Sequence, residues 1–159
     1  MAHQLVSGLT TIPTRRQLLT ISLLTVGFGG LAFAVRPDLI DLDRIPSSRQ
    51  LAIAIPLAFV IPALAEELIF RGLLTPTFNL RWTIVSTSLF VLWHPFEAYT
   101  FLPDAMPLFV QPTFIGLVTL LGTLCWIVYW KTGSLWASVL IHWWVVAGWK
   151  LLGGAGFIS

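Results

Sequence analysis

Long apolar stretches constrain this chain more than any other feature of its sequence. Five of them occur, and only the second contains charged residues; they are residues 17–35, 51–74, 82–96, 105–130 and 132–149. About 20 apolar residues are needed for a helix to cross the hydrocarbon core of a bilayer. Strands of a membrane barrel would instead be shorter segments of alternating hydropathy. We therefore predict an all-α fold, a polytopic membrane helix bundle of about five spans.

The composition agrees with this prediction and excludes other classes of protein. Of the 159 residues, 57% are hydrophobic and only 10% are charged, whereas soluble domains contain about 25% charged residues. The net charge of +2 is too small for a polybasic face, which excludes nucleic acid as a partner. We expect an integral membrane protein of the cell membrane, surrounded by membrane lipids. Residues 1–159 are expected to form a single domain, with the functional motifs in a core at residues 51–150.

The connections between the stretches are polar and short. Residues 36–50 contain three Arg and three Asp, and Pro37 and Pro46 disfavour a helix there, so a surface loop is predicted. Residues 131–134 are predicted to form a turn that joins the last two spans as a hairpin. The stretch at residues 82–96 is short for a span, so it is either tilted or extends past Glu97.

Arg15 and Arg16 precede the first stretch, as in a twin-arginine signal peptide. The apolar run that follows is long for a signal core, so we expect an uncleaved first span. Lys and Arg residues are equally divided between the two predicted sides, which leaves the orientation undecided.

Three charged residues, Glu66, Glu67 and Arg71, interrupt the second stretch. A charge near the middle of a membrane helix costs about 2.5–3.5 kcal/mol. On a regular α-helix Glu67 and Arg71 lie four residues apart on one side, which predicts an ion pair. Glu66 lies about 140° away from Arg71 around the same helix, so it would face the bundle without a counter-ion and could act as a base. A purely structural ion-pair cluster, or a hydrated helix end, is the alternative.

Two histidines lie in other apolar stretches. His94 follows Phe90 by four residues and precedes Pro95, and His142 lies near the middle of the last stretch. Ionisable groups inside a membrane usually face the protein interior and have partners. We therefore predict that Glu66, His94 and His142 share one polar pocket, although His94 could instead lie in a loop at the membrane edge.

A glutamate and two histidines suit two kinds of chemistry, the activation of water by a general base and the binding of a divalent cation. The His-Glu-x-x-His spacing of zinc proteases is absent from the sequence, so no cofactor is expected and zinc is the alternative. Cys125 has no basic neighbour in the sequence, and no role is assigned to it.

Three motifs in order resemble those of the CPBP family, which includes the CAAX prenyl endopeptidases and the bacterial Abi proteins. The Glu-Glu-x-x-x-Arg motif is similar to EELIFRGLL at residues 66–74, and the Phe-x-x-x-His motif is similar to STSLFVLWH at residues 86–94. The approach to the third motif is similar to KTGSLWASVLIH at residues 131–142.

The resemblance implies a glutamate-type intramembrane endopeptidase with a conical chamber open to lipid and a peptide or lipidated protein, such as a prenylated one, as substrate. It implies that Glu66 activates water with the help of His94, and that His142 polarises the scissile carbonyl. Glu67, Arg71 and Phe90 are then supporting residues.

One position departs from the family pattern. Val146 stands where the third motif has Asn or Asp, one turn after His142, and valine cannot donate a hydrogen bond. Loss of one oxyanion donor costs about 10²–10³ in rate, unless a backbone N–H, a water or an indole such as Trp143 or Trp144 replaces it. The alternative function is a non-catalytic membrane binding or scaffold protein, or a peptide-tolerance factor. Proton or ion conduction is a third hypothesis.

The tryptophans are predicted to serve mainly as membrane anchors. An interfacial belt is expected from four that lie near predicted span ends, Trp82, Trp130, Trp136 and Trp149. Three deeper ones either line the chamber or face lipid, namely Trp93, Trp143 and Trp144.

Overall fold

The computed structural model describes residues 2–41, 43, 45–75 and 79–153. In these ranges the chain forms seven α-helices and short 3₁₀ turns, without a β-strand, which confirms the predicted all-α fold. The helices are α1 (Ala2–Thr10), α2 (Arg15–Val35), α3 (Ser48–Leu73), α4 (Leu80–Phe101), α5 (Met106–Phe109), α6 (Pro112–Thr132) and α7 (Leu135–Leu151).

Three helices, α2, α3 and α6, are long and apolar enough to cross a membrane, as expected for an integral membrane protein. The predicted number of about five spans is approximate. Helices α4 and α7 lie at the other two predicted positions, but they are not among these three helices. The prediction of a single domain over residues 1–159 includes residues outside the described ranges and stays a prediction.

The first loop ties α2 to the start of α6. A capping box between Thr14 and Gln17 begins α2, and a 3₁₀ turn, Pro37–Leu39, follows its end. The predicted surface loop is wrong for Arg36, which is buried. Its guanidinium donates to Asp38 at 2.7 Å and to Thr113 Oγ1 at 2.7 Å, and the hydrogen bond from Arg36 lowers the pKa of Asp38.

Helix α3, which contains the charged motif, is not a regular α-helix. It is α-helical over Ser48–Ala58 and π-helical over Phe59–Ala65 and Leu68–Leu73. Pro62 lies inside the first π-helical segment, and a proline ring cannot fit the ordinary i→i−4 ladder without displacing it. The assumption of 100° per residue through this stretch was therefore wrong, and π-helical turns are often found at functional sites.

One open boundary is settled by the structure, and one predicted span is interrupted by a proline. Glu97 ends the charge-free stretch at residues 82–96, but α4 continues past it to Phe101, which is one of the two predicted outcomes. Residues 105–130 were predicted as one span, yet the chain breaks before α6. Pro112 disfavours a helical Gln111 and is accommodated as the first residue of α6.

Helix α7 lies at the centre of the fold. It packs against α1, α2, α3 and α6, and its side chains Ala137, Val139 and Ile141 are fully buried. The predicted turn joins α6 to α7 through Gly133, whose φ is +65°. The central position of α7 places His142 in the interior of the bundle.

Helix α1 was not predicted. Its Leu5 and Leu9 pack against a cluster that includes Tyr129 and Leu135, and Leu9 accepts a hydrogen bond from the Trp136 indole at 2.8 Å. The Trp136 indole therefore makes a contact within the protein, and its place in an interfacial belt stays a prediction.

The left-handed residue in the α6–α7 turn allows a test of the fold. Gly133→Ala is expected to lower the free energy of unfolding by about 1–2 kcal/mol, because a Cβ disfavours the left-handed region. Thermal unfolding in detergent micelles measures the loss. Gly27→Ala is the matched control, since Gly27 is an exposed helical residue with nothing within 4 Å of an added Cβ. Equal melting temperatures for both variants would contradict the prediction.

Candidate active site

One carboxylate oxygen joins the helices that carry the motifs. Glu67 Oε1 forms an ion pair with Arg71 Nη1 at 3.1 Å and accepts a hydrogen bond from His142 Nδ1 at 3.0 Å. Arg71 also donates through Nη2 to the carbonyl oxygen of Gly122 at 2.8 Å, and its guanidinium lies 4.2 Å from the centroid of the Phe90 ring. The Glu67 and Arg71 side chains are fully buried. This network connects α3 with α4, α6 and α7.

The network fixes the orientation of the His142 ring. A carboxylate oxygen can only accept, so Nδ1 of His142 carries the hydrogen directed at Glu67. Nε2 is then the ring nitrogen left for other partners. The prediction assigned Glu67 to Arg71 alone, whereas the structure gives it both Arg71 and His142 as partners.

His94 is oriented in a similar way by a different acceptor. Its Nδ1 lies 2.9 Å from the carbonyl oxygen of Phe90, so Nδ1 donates, and Nε2 has no hydrogen-bond partner among the described residues. The ring of Phe90 contacts both imidazoles, with its centroid 4.9 Å from that of His94 and 5.5 Å from that of His142. His94 lies inside α4, so the alternative of a loop at the membrane edge is wrong.

A cavity of about 430 Å³ brings the candidate residues together. Glu66, His94 and His142 all line it, and apolar side chains from α2, α6 and α7 form most of the remaining wall. Within the described ranges, no hydrogen bond joins Glu66 to either imidazole. The structure thus places the three predicted catalytic residues around one cavity, and their catalytic roles stay predictions.

Glu66 is a buried carboxylate with one unused oxygen. Its Oε1 accepts from the Trp93 indole Nε1 at 3.2 Å, and its Oε2 has no hydrogen-bond partner among the described residues. The sequence left open whether Trp93 faces lipid or the chamber, and it did not indicate this bond. The only sequence feature that could have suggested this bond is the position of Trp93 immediately before His94.

Glu97 is a second acid that sequence reasoning missed. It was used there only as the end of a stretch, but it is buried and lines the same cavity. Glu97 follows His94 by three residues on α4, and residues three apart share a helix face. That spacing could have suggested a place for Glu97 beside His94.

Val146, which stands where the family's third motif has a side-chain hydrogen-bond donor, lies on the wall of the cavity. Val146 and Trp144 both line it. The Trp143 indole donates to the Ile55 carbonyl oxygen at 2.9 Å, so this donor is already engaged. Of the two indoles considered as a replacement, only Trp144 lies at the cavity.

Metal binding has little support from the side-chain positions. In the part of the chain that the structure describes, no group of three or more His, Cys, Asp or Glu side chains could hold a metal ion. Cys125 is buried and directs its Sγ at the Ser138 carbonyl oxygen, 3.8 Å away. The expectation of no cofactor stays a prediction.

Comparison with known proteins gives one match. A family model described as type II CAAX prenyl endopeptidase Rce1-like matches residues 48–147, a range that contains all the candidate residues. No curated protein and no solved structure matches the chain.

A close approach inside the network supplies a test of its packing. A Cβ added at Gly122 would lie 2.8 Å from Phe90 Cδ1 and 3.2 Å from Arg71 Nη2. Gly122→Ala is therefore expected to lower the free energy of unfolding by about 1–3 kcal/mol, as overpacking does. Gly116→Ala, on the same helix with nothing within 4 Å, is the control. Chemical denaturation in detergent should separate the two variants, and a Gly122→Ala protein as stable as the control would refute the packing described here.

Proposed function

Because the chain belongs to the type II CAAX prenyl endopeptidase Rce1-like family, we propose that it is an intramembrane endopeptidase of the cell membrane. The substrate is a membrane-delivered peptide or protein, with a prenylated C-terminus as the first candidate. The observation that carries the proposal is the buried Glu66 carboxylate in an apolar cavity that it shares with two oriented imidazoles, with one oxygen that has no hydrogen-bond partner among the described residues.

The first step is the activation of water. Glu66 Oε2 accepts a proton from a water molecule, and His94 holds that water through its free Nε2. The oxygen then attacks the carbonyl carbon of the scissile bond. The apolar wall excludes other water and so strengthens each electrostatic interaction in the cavity.

His142 stabilises the oxyanion that forms. When Nε2 also carries a proton during the reaction, the ring donates from it to the carbonyl oxygen while Nδ1 stays bonded to Glu67. Arg71 and Phe90 act through position, since Arg71 holds Glu67 and Phe90 lies between the two imidazoles.

A non-catalytic membrane binding protein is the second candidate function. Val146 favours it, because the side chain that faces the cavity one turn after His142 has no hydrogen-bonding group. Under this function the cavity binds an apolar chain or peptide without hydrolysing it.

Removal of the proposed base tests catalysis directly. Glu66→Gln is expected to lower the rate of peptide hydrolysis by about 10²–10⁴, the usual contribution of a general base. Its stability should change little, because glutamine still accepts from Trp93. Release of the tripeptide from a farnesylated C-a-a-X peptide, with the purified protein in liposomes, is the assay. Asp104→Asn, which alters an exposed carboxylate, is the control. Equal cleavage by wild type and Glu66→Gln would disprove the proposal.

Restoration of the missing donor separates the two functions. Val146→Asn is expected to raise turnover by up to about 10², which is the rate contribution expected of one oxyanion donor. Val146→Leu keeps the site apolar and should leave turnover low. The rates are measured with the same peptide in liposomes. Unchanged turnover in a folded Val146→Asn protein would favour the binding function.

A further inference from the structure

Among the described residues that line the cavity, Glu97 is the one acid to which the proposed function gives no role. Its side chain is buried, lines the cavity with Glu66, and makes no hydrogen bond or ion pair with any described residue. A buried carboxylate without a partner is costly. Its retention beside a second carboxylate therefore calls for a chemical explanation.

The cationic groups around the cavity are already paired. Arg71 on α3 is bound to Glu67, and Arg36 in the first loop is bound to Asp38. Lys150 on α7 lines a different, small pocket between α3 and α7.

The other titratable groups near α4 do not neutralise Glu97 either. His142 on α7 is bonded to Glu67, and His94 on α4 is bonded to the Phe90 carbonyl. Asp104 in the turn before α5 is exposed, and α6 has no Asp, Glu or His. Among the described residues, no cation is thus left to neutralise Glu66 and Glu97 together.

Arg36 lines the same cavity but is bound to Asp38, and two carboxylates in one apolar cavity favour a state in which one of them holds a proton. The hydrogen bonds of the two acids differ. Glu66 accepts from the Trp93 indole, and a donor of this kind stabilises the ionised form. Glu97 receives no such bond from the described residues, and this difference in hydrogen bonding favours the proton on Glu97.

We propose that Glu97 is a further catalytic residue, the general acid that protonates the leaving amine. This inference rests on the proposed function. Glu66 takes a proton from water and the hydroxide oxygen bonds to the carbonyl carbon. The C–N bond then breaks, its electron pair stays on nitrogen, and the Glu97 carboxylic acid donates a proton to that nitrogen. Transfer of the proton from Glu66 to Glu97 restores the starting state, and one water is consumed for each bond hydrolysed.

The location of the proton is tested without any substrate. Infrared spectroscopy of the protein in liposomes at neutral pH is expected to show the C=O stretch of a protonated carboxyl group. This band should disappear in Glu97→Gln and remain in Glu66→Gln. A wild-type spectrum without the band, or a band lost only in Glu66→Gln, would overturn the proposal.

The leaving group provides the kinetic test. A peptide bond needs protonation of its amine, whereas a p-nitrophenyl ester of the same farnesylated acyl group releases a weakly basic anion. Glu97→Gln is expected to slow peptide hydrolysis by about 10²–10⁴, with little change in KM, and to slow ester hydrolysis far less. Glu66→Gln should slow both reactions, and Asp104→Asn neither.

The possible results separate this inference from the proposed function. If Glu66→Gln slows both reactions while Glu97→Gln slows neither, or slows both equally, the acid role of Glu97 is wrong and the proposed function stands. If Glu66→Gln slows neither, the proposed function fails, and the acid role fails with it.

Glu97→Asp keeps a carboxyl group and should retain a larger share of peptide hydrolysis than Glu97→Gln. If Glu97→Gln does not fold, an equal loss of peptide and ester hydrolysis in Glu97→Asp overturns the proposal.

Discussion

The shared oxygen of Glu67 is the interaction on which the site depends. It is held by Arg71 from the same helix and by His142 from α7, in an interior where an unpaired charge would cost several kcal/mol. Because Glu67 is fixed in this way, its neighbour Glu66 must point elsewhere, about 100° around the helix. That direction leads to the cavity. The ion pair therefore determines where the proposed base lies, although it takes no part in the proton transfer.

The sequence was most informative at charged side chains in an apolar stretch, because these are the residues with the highest free-energy cost of burial in a membrane. Charges inside an apolar stretch need partners, and this argument alone singled out Glu66, Glu67 and Arg71 together with the two histidines. The four-residue spacing of Glu67 and Arg71 predicted their contact, which the structure shows at 3.1 Å. The two side chains meet although Arg71 lies in the second π-helical segment, Leu68–Leu73.

The features that the sequence did not predict depend on how different helices meet. The bond from Trp93 to Glu66 joins residues on α4 and α3, and no periodicity within one helix specifies it. The same holds for Trp143, whose indole is used by the Ile55 carbonyl. The break at Pro112 was visible in the sequence, but counting charge-free residues gives proline no weight. Helix α1 contains polar residues and is too short for a span, so a search for spans could not find it.

The valine at position 146 changes what the remaining residues must do. With an apolar side chain one turn after His142, the candidate side-chain donors at that end of the cavity are His142 and the indole of Trp144, which also lines the wall. His142 and Arg71 contact the same oxygen of Glu67, so this carboxylate is not available to His142 alone. A site of this kind gains more from acid assistance to the leaving group, because a proton donated to the amine lets the tetrahedral intermediate lose the amine instead of returning hydroxide. The place of Glu97 in the same cavity as Val146 is consistent with that compensation.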